Sequence, residues 1–83
     1  MNKAVTYAQL KKMLLGLGFR EALLPSSHIA FNGPEPKMLL FYRAYRPDEV
    51  LEPSDLAKTR RFLDAWGLVE ESAFEHLLQA TAA

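Results

Sequence analysis

Apolar residues recur at helical spacing near the start of the chain. Leu10, Met13, Leu14 and Leu17 make one stripe, the three-and-four repeat of an amphipathic helix. Thr6 and Gln9 precede it as a T-x-x-Q capping box, a pair that satisfies orphan amide donors at a helix start. Gly18 follows as a stop, because glycine takes the left-handed cap conformation without steric cost. The pattern predicts a first helix over about Tyr7 to Leu17, with Lys11 and Lys12 off the stripe and facing water.

The period then changes. Phe19 to Leu24 is a short apolar run closed by Pro25-Ser26-Ser27, and His28 to Asn32 is a second. Asn32-Gly33-Pro34-Glu35-Pro36 has the composition of a turn, and Met38 to Tyr45 is a third run rich in aromatic and aliphatic residues. Three short strands with tight connections predict an antiparallel meander. In the third strand, alternation sets Leu39, Phe41, Arg43 and Tyr45 on one face and Leu40, Tyr42 and Ala44 on the other. Both faces are largely apolar, while two main helices cover one side of such a sheet. A third helix, a partner or a second copy is left to cover the other.

After a loop over Pro47 to Pro53, Ser54 or Asp55 is a candidate cap for a second helix, with Pro53 just outside it. Leu56, Thr59, Leu63 and Trp66 share one face with Phe62 beside them, and Gly67 ends the helix. Ser72 and Glu75 form another capping box ahead of Phe74, Leu77 and Leu78, a short last helix, and the tail Ala80 to Ala83 is expected to fray. The fold class is therefore α+β in one domain over residues 1–83: helix, three-stranded antiparallel sheet, helix, and a short C-terminal helix.

Bulk properties narrow the class. Hydrophobic residues make up 49% of the 83 residues, which suits a folded domain and argues against disorder. The absence of cysteine excludes disulfides and thiolate metal sites and fits a reducing compartment. No run approaches the roughly 18 apolar residues of a membrane span, and Met1 to Thr6 lacks the apolar core of a signal peptide. The expectation is a soluble cytoplasmic protein with no membrane contact. Net charge is zero but uneven. Residues 1–47 carry seven basic and two acidic groups, residues 48–83 three basic and eight acidic. Such asymmetry marks a polyanion-binding half or arises by chance on a small surface.

Chemistry-bearing residues are few. The two histidines have no metal-ligand spacing and no Gly-rich phosphate loop follows a strand, so no metal or cofactor is expected. His28, opening strand two straight after a turn, is well placed to reach a substrate and exchanges protons near neutral pH. His76, between Phe74 and Leu77, reads as a surface residue.

Taken in order, these residues resemble the HicA family of bacterial toxins, small ribonucleases with a double-stranded-RNA-binding-like fold. Leu10, Lys12, Leu14 and Gly18-Phe19 fill the family's L-x-K-x-L-x-x-x-G-F opening. Ser27-His28 falls at its G-S-H signature. Leu51 and Pro53 match the L-x-P before the second helix, and Leu63, Ala65, Gly67 and Leu68 match its end. The resemblance runs over about Leu10 to Leu78. It implies a toxin of a type II toxin–antitoxin system, a metal-independent endoribonuclease acting on mRNA with His28 as the catalytic group. A HicB-like antitoxin would be the partner. Lys11, Lys12, Arg43 and Arg46 are the candidate phosphate contacts, each otherwise a solvated surface residue. Ser26 stands where the family has glycine, Ile29 where a histidine or basic residue is common, and Glu52 where it has lysine. With a neutral chain, these differences favour an alternative that ranks second to the ribonuclease: a non-catalytic RNA- or protein-binding module of the same fold, with a surface kept for an antitoxin or for self-association.

Overall fold

The computed structural model describes residues 5–82. Helix α1 spans Tyr7–Gly16, and its capping box forms: the Thr6 hydroxyl accepts the Gln9 N–H at 3.3 Å and Gln9 Oε1 accepts the Thr6 N–H at 3.1 Å. The helix ends one residue before the expected Leu17, which serves as its C-cap, and Gly18 follows at φ 98°. Tyr7, Leu10, Met13 and Leu14 are buried. A fully buried leucine such as Leu10 or Leu14 contributes about 1.5–3 kcal/mol.

Strands β1 (Arg20–Leu23), β2 (Ile29–Asn32) and β3 (Leu39–Tyr42) form an antiparallel sheet in the order β1-β2-β3. Arg20 lies opposite Asn32 and Leu23 opposite Ile29, while Ile29 lies opposite Tyr42 and Asn32 opposite Leu39. This register puts Ile29, Phe31, Leu40 and Tyr42 on the core face. Phe31 and Tyr42 meet edge to face at 5.8 Å. Leu39 and Phe41 stand on the opposite face and remain 41% and 51% exposed.

Strand β3 is shorter than the alternating run suggests, and this corrects the placing of Tyr45. Pairing stops at Tyr42, so beyond it alternation no longer sets the side on which a residue stands. Tyr45 turns inward, stacks on Tyr7 at 5.9 Å, donates its hydroxyl to Asp55 at 2.5 Å and accepts the Glu52 N–H at 3.1 Å.

Helix α2 spans Pro53–Ala65 with Glu52 as N-cap. Pro53 thus lies inside the first turn, not outside it; its missing N–H is one that a helix start leaves unsatisfied anyway. Thr59 and Leu63 are its buried residues, and Gly67 ends it at φ 73°. Helix α3 spans Glu71–Ala82. It begins ahead of Ser72, so the second capping box does not start it, and it continues through most of the stretch expected to fray; Ala83 lies outside the described residues, as do Met1 to Ala4. Helix α3 packs against α1 and α2 and buries Phe74 and Leu78 in the same core. It leaves the outer sheet face uncovered.

Candidate nucleic-acid interface

The β1–β2 hairpin carries His28. The Leu24 N–H donates to the His28 carbonyl at 2.9 Å and the Ser27 N–H to the Leu24 carbonyl at 3.0 Å. Ser27 closes the turn at φ 66°, a left-handed conformation that costs a non-glycine residue about 1–2 kcal/mol. His28 stands exposed immediately ahead of β2. Its Nδ1 lies 3.1 Å from Ser26 Oγ and 3.2 Å from the Ser26 carbonyl oxygen. With Nδ1–H donated to either oxygen, the lone pair sits on Nε2, which no hydrogen bond engages among the described residues.

The four candidate cations differ sharply. Lys11 does not simply face water: its ammonium pairs with Glu21 at 2.9 Å. Lys12 is exposed on the next position of α1. Arg43 is committed to two carboxylates, Nη2 to Glu49 and Nε to Glu52, both at 2.8 Å. Both interactions raise its pKa, with Glu49 the larger cause. The Arg46 backbone N–H donates to Glu49 Oε1 at 3.1 Å. Glu49 is held below the usual carboxylate range by the Arg43 guanidinium first and that N–H second.

A cleft of about 470 Å³ opens between α1 and the sheet, lined among others by Tyr7, Lys11, Lys12 and Leu15 from α1 and by Glu21 and Leu23 from β1. Ile29 of β2 also lines it, and His28, which stands ahead of the strand, does not. Inside the cleft the Tyr7 hydroxyl donates to Glu21 in a short hydrogen bond. Burial pushes the Tyr7 phenol up, and the Glu21 carboxylate adds to it. Burial alone would raise Glu21, but the Tyr7 hydroxyl and Lys11 ammonium outweigh it and hold the carboxyl below its ordinary value. Sequence reasoning missed this Tyr7–Glu21–Lys11 cluster. The only signal was a lone acid inside the apolar run Phe19 to Leu24.

Among the described residues no group of His, Asp and Glu is arranged to hold a metal ion, and no helix is long and apolar enough to cross a membrane. No known protein family, curated protein or solved structure matches the chain.

Proposed function

We propose that the chain is a HicA-like toxin that cleaves mRNA in the cytoplasm without a metal, restrained by a HicB-like antitoxin. One observation carries the reading: an exposed histidine, His28, at the head of β2 with Nδ1 held by Ser26, in a helix–three-strand–helix chain. Nε2 takes the proton of a ribose 2′-hydroxyl. The freed oxygen attacks the adjacent phosphorus, the bond to the 5′-oxygen breaks, and that oxygen takes a proton from water. The products are a 2′,3′-cyclic phosphate and a 5′-hydroxyl. A positioned base contributes about 10²–10⁴ in rate, and cations beside the phosphate stabilise the developing charge. Arg46 is the better candidate for that role, since Lys11 and Arg43 already hold carboxylates and Lys12 lines the cleft that His28 does not.

The same neutralisation favours a second reading, a binding module of this fold without catalysis. Induced expression separates the two. A ribonuclease halts growth and degrades mRNA, and His28→Ala does neither while its amide spectrum stays folded. Equal toxicity of both forms removes His28 from the chemistry; no toxicity from either leaves the binding module.

A further inference from the structure

Three short strands leave two sheet edges, and the structure treats them differently. In an antiparallel pair, residues alternate between exchanging hydrogen bonds with the neighbour and pointing their backbone groups away. The Leu24 N–H bonds the His28 carbonyl and the Gly33 N–H bonds the Met38 carbonyl. Carried through the register, Ala22 and Leu24 bond inward to β2, and the N–H and C=O of Glu21 and Leu23 point outward from β1. On the other edge Leu39 and Phe41 point outward. There α2 intervenes: Lys58 Nζ donates to the Phe41 carbonyl at 2.5 Å and lies 4.7 Å from the Tyr42 ring centre. Among the described residues, no such side chain covers the outward groups of Glu21 and Leu23.

The open edge borders the cleft. Leu23 is 79% exposed and Leu15 of α1 47%. Both line the cleft, as does Lys12, and no carboxylate pairs with Lys12 among the described residues. Glu21, the acid of the lining, is already held by Lys11 and Tyr7. An unsatisfied strand edge, an aliphatic wall and an uncompensated ammonium thus meet in one place.

The geometry points to β1 as a docking edge for an extended segment of a partner protein, which adds as a fourth strand beside Glu21 and Leu23, sets an aliphatic side chain on Leu15 and Leu23, and brings a carboxylate to Lys12. Strand addition of this kind takes affinity from main-chain hydrogen bonds and selectivity from alternate side chains. A second copy pairing through the same edge fits less well, because that edge brings its own Lys12 ammonium and an acid, Glu21, already held by Lys11 and Tyr7. RNA fits less well, because its phosphates gain nothing from the leucine wall. The proposal does not depend on cleavage by His28.

The test is selection of random peptides displayed on phage against the whole chain, followed by synthesis of the enriched sequences. Enrichment of an aliphatic and an acidic residue two positions apart, on one face of the added strand, is expected. Binding should slow hydrogen exchange at the Glu21 and Leu23 amides and leave that at Leu39 and Phe41 unchanged. Methylating the alternate peptide nitrogens that face β1 should weaken binding by about tenfold or more. Leu23→Lys and Lys12→Glu should each weaken it several-fold while the amide spectrum stays folded, since both positions are exposed. No enrichment, enrichment without that two-residue spacing, indifference to N-methylation, or protection at Phe41 in place of Leu23 overturns the proposal. So does self-association of the chain through this edge, or displacement of the peptide by single-stranded RNA at equal concentration.

Discussion

The Arg43 guanidinium lies 3.9 Å from the centre of the Tyr45 ring, and Glu49 and Glu52 close around it from the loop and the head of α2. An arginine held this way is a clip between the end of β3 and the N-terminus of α2. If the chain binds RNA as proposed, Arg43→Ala is expected to leave the salt dependence of that binding unchanged, whereas Arg46→Glu lowers the slope of log affinity against log salt by about one for each phosphate no longer neutralised. Filter binding over a salt series measures both. An equal fall in slope for Arg43→Ala would show that RNA displaces Glu49 and Glu52.

The buried pair Tyr42 and Thr59 has one direction available to it. The single Thr59 hydroxyl proton goes to the Asp55 carbonyl at 2.7 Å, so the Tyr42 hydroxyl donates to Thr59 Oγ1 at 2.6 Å. Tyr42→Phe removes the donor and leaves Thr59 bonded, at a cost of about 0.5–1.5 kcal/mol; Thr59→Val strands a buried phenol and costs about 1–3 kcal/mol. Denaturant unfolding should rank Thr59→Val as the less stable protein. The reverse order would contradict the assigned donor.

Glu21 links α1 to β1 through Tyr7 and Lys11, with its pKa lowered in the folded state. A lowered carboxyl contributes stability that is complete above the unfolded value near 4.3 and is lost as pH falls through the lower folded value. Glu21→Gln should therefore flatten the acid limb of stability below about pH 4.5. Tyr7 has the opposite sign. Its raised pKa gives stability that is complete below the unfolded value near 10 and is lost as pH rises above it, so Tyr7→Phe should flatten the alkaline limb. Melting temperatures from pH 3 to 11 test both; parallel curves for wild type and variants would remove the cluster from the pH response.

Two glycines should respond to alanine for different reasons. At Gly33 a Cβ would lie 2.5 Å from Met38 Cβ and 2.9 Å from Phe19 Cε2, an overpacking cost of about 1–3 kcal/mol. At Gly67 a Cβ meets open space, but φ is 73°, so the cost of about 1–2 kcal/mol is backbone strain. Asparagine tolerates the left-handed region, so Gly67→Asn should recover part of the loss and Gly33→Asn none of it. Thermal melts of the four variants measure this; recovery by Gly33→Asn would contradict the overpacking account.

Local pattern determined much of this protein. The T-x-x-Q box and the leucine stripe specify α1 because their interactions span only three or four residues. Gly18 and Gly67 end helices because their backbone freedom is intrinsic, and the change from helical to alternating period marks the meander. His28 was legible as a turn-edge histidine for the same reason. The tertiary structure decided what distant segments do to one another. It ended β3 at Tyr42 and turned Tyr45 onto Tyr7, left Leu39 and Phe41 uncovered by sending α3 to α1 and α2, and joined Lys11 to Glu21 and Arg43 to Glu49 and Glu52. Charge is written in the chain, but whether a charge faces solvent or a counter-ion depends on elements that meet only on folding. That is why four candidate cations of equal standing in the sequence have unequal standing in the fold.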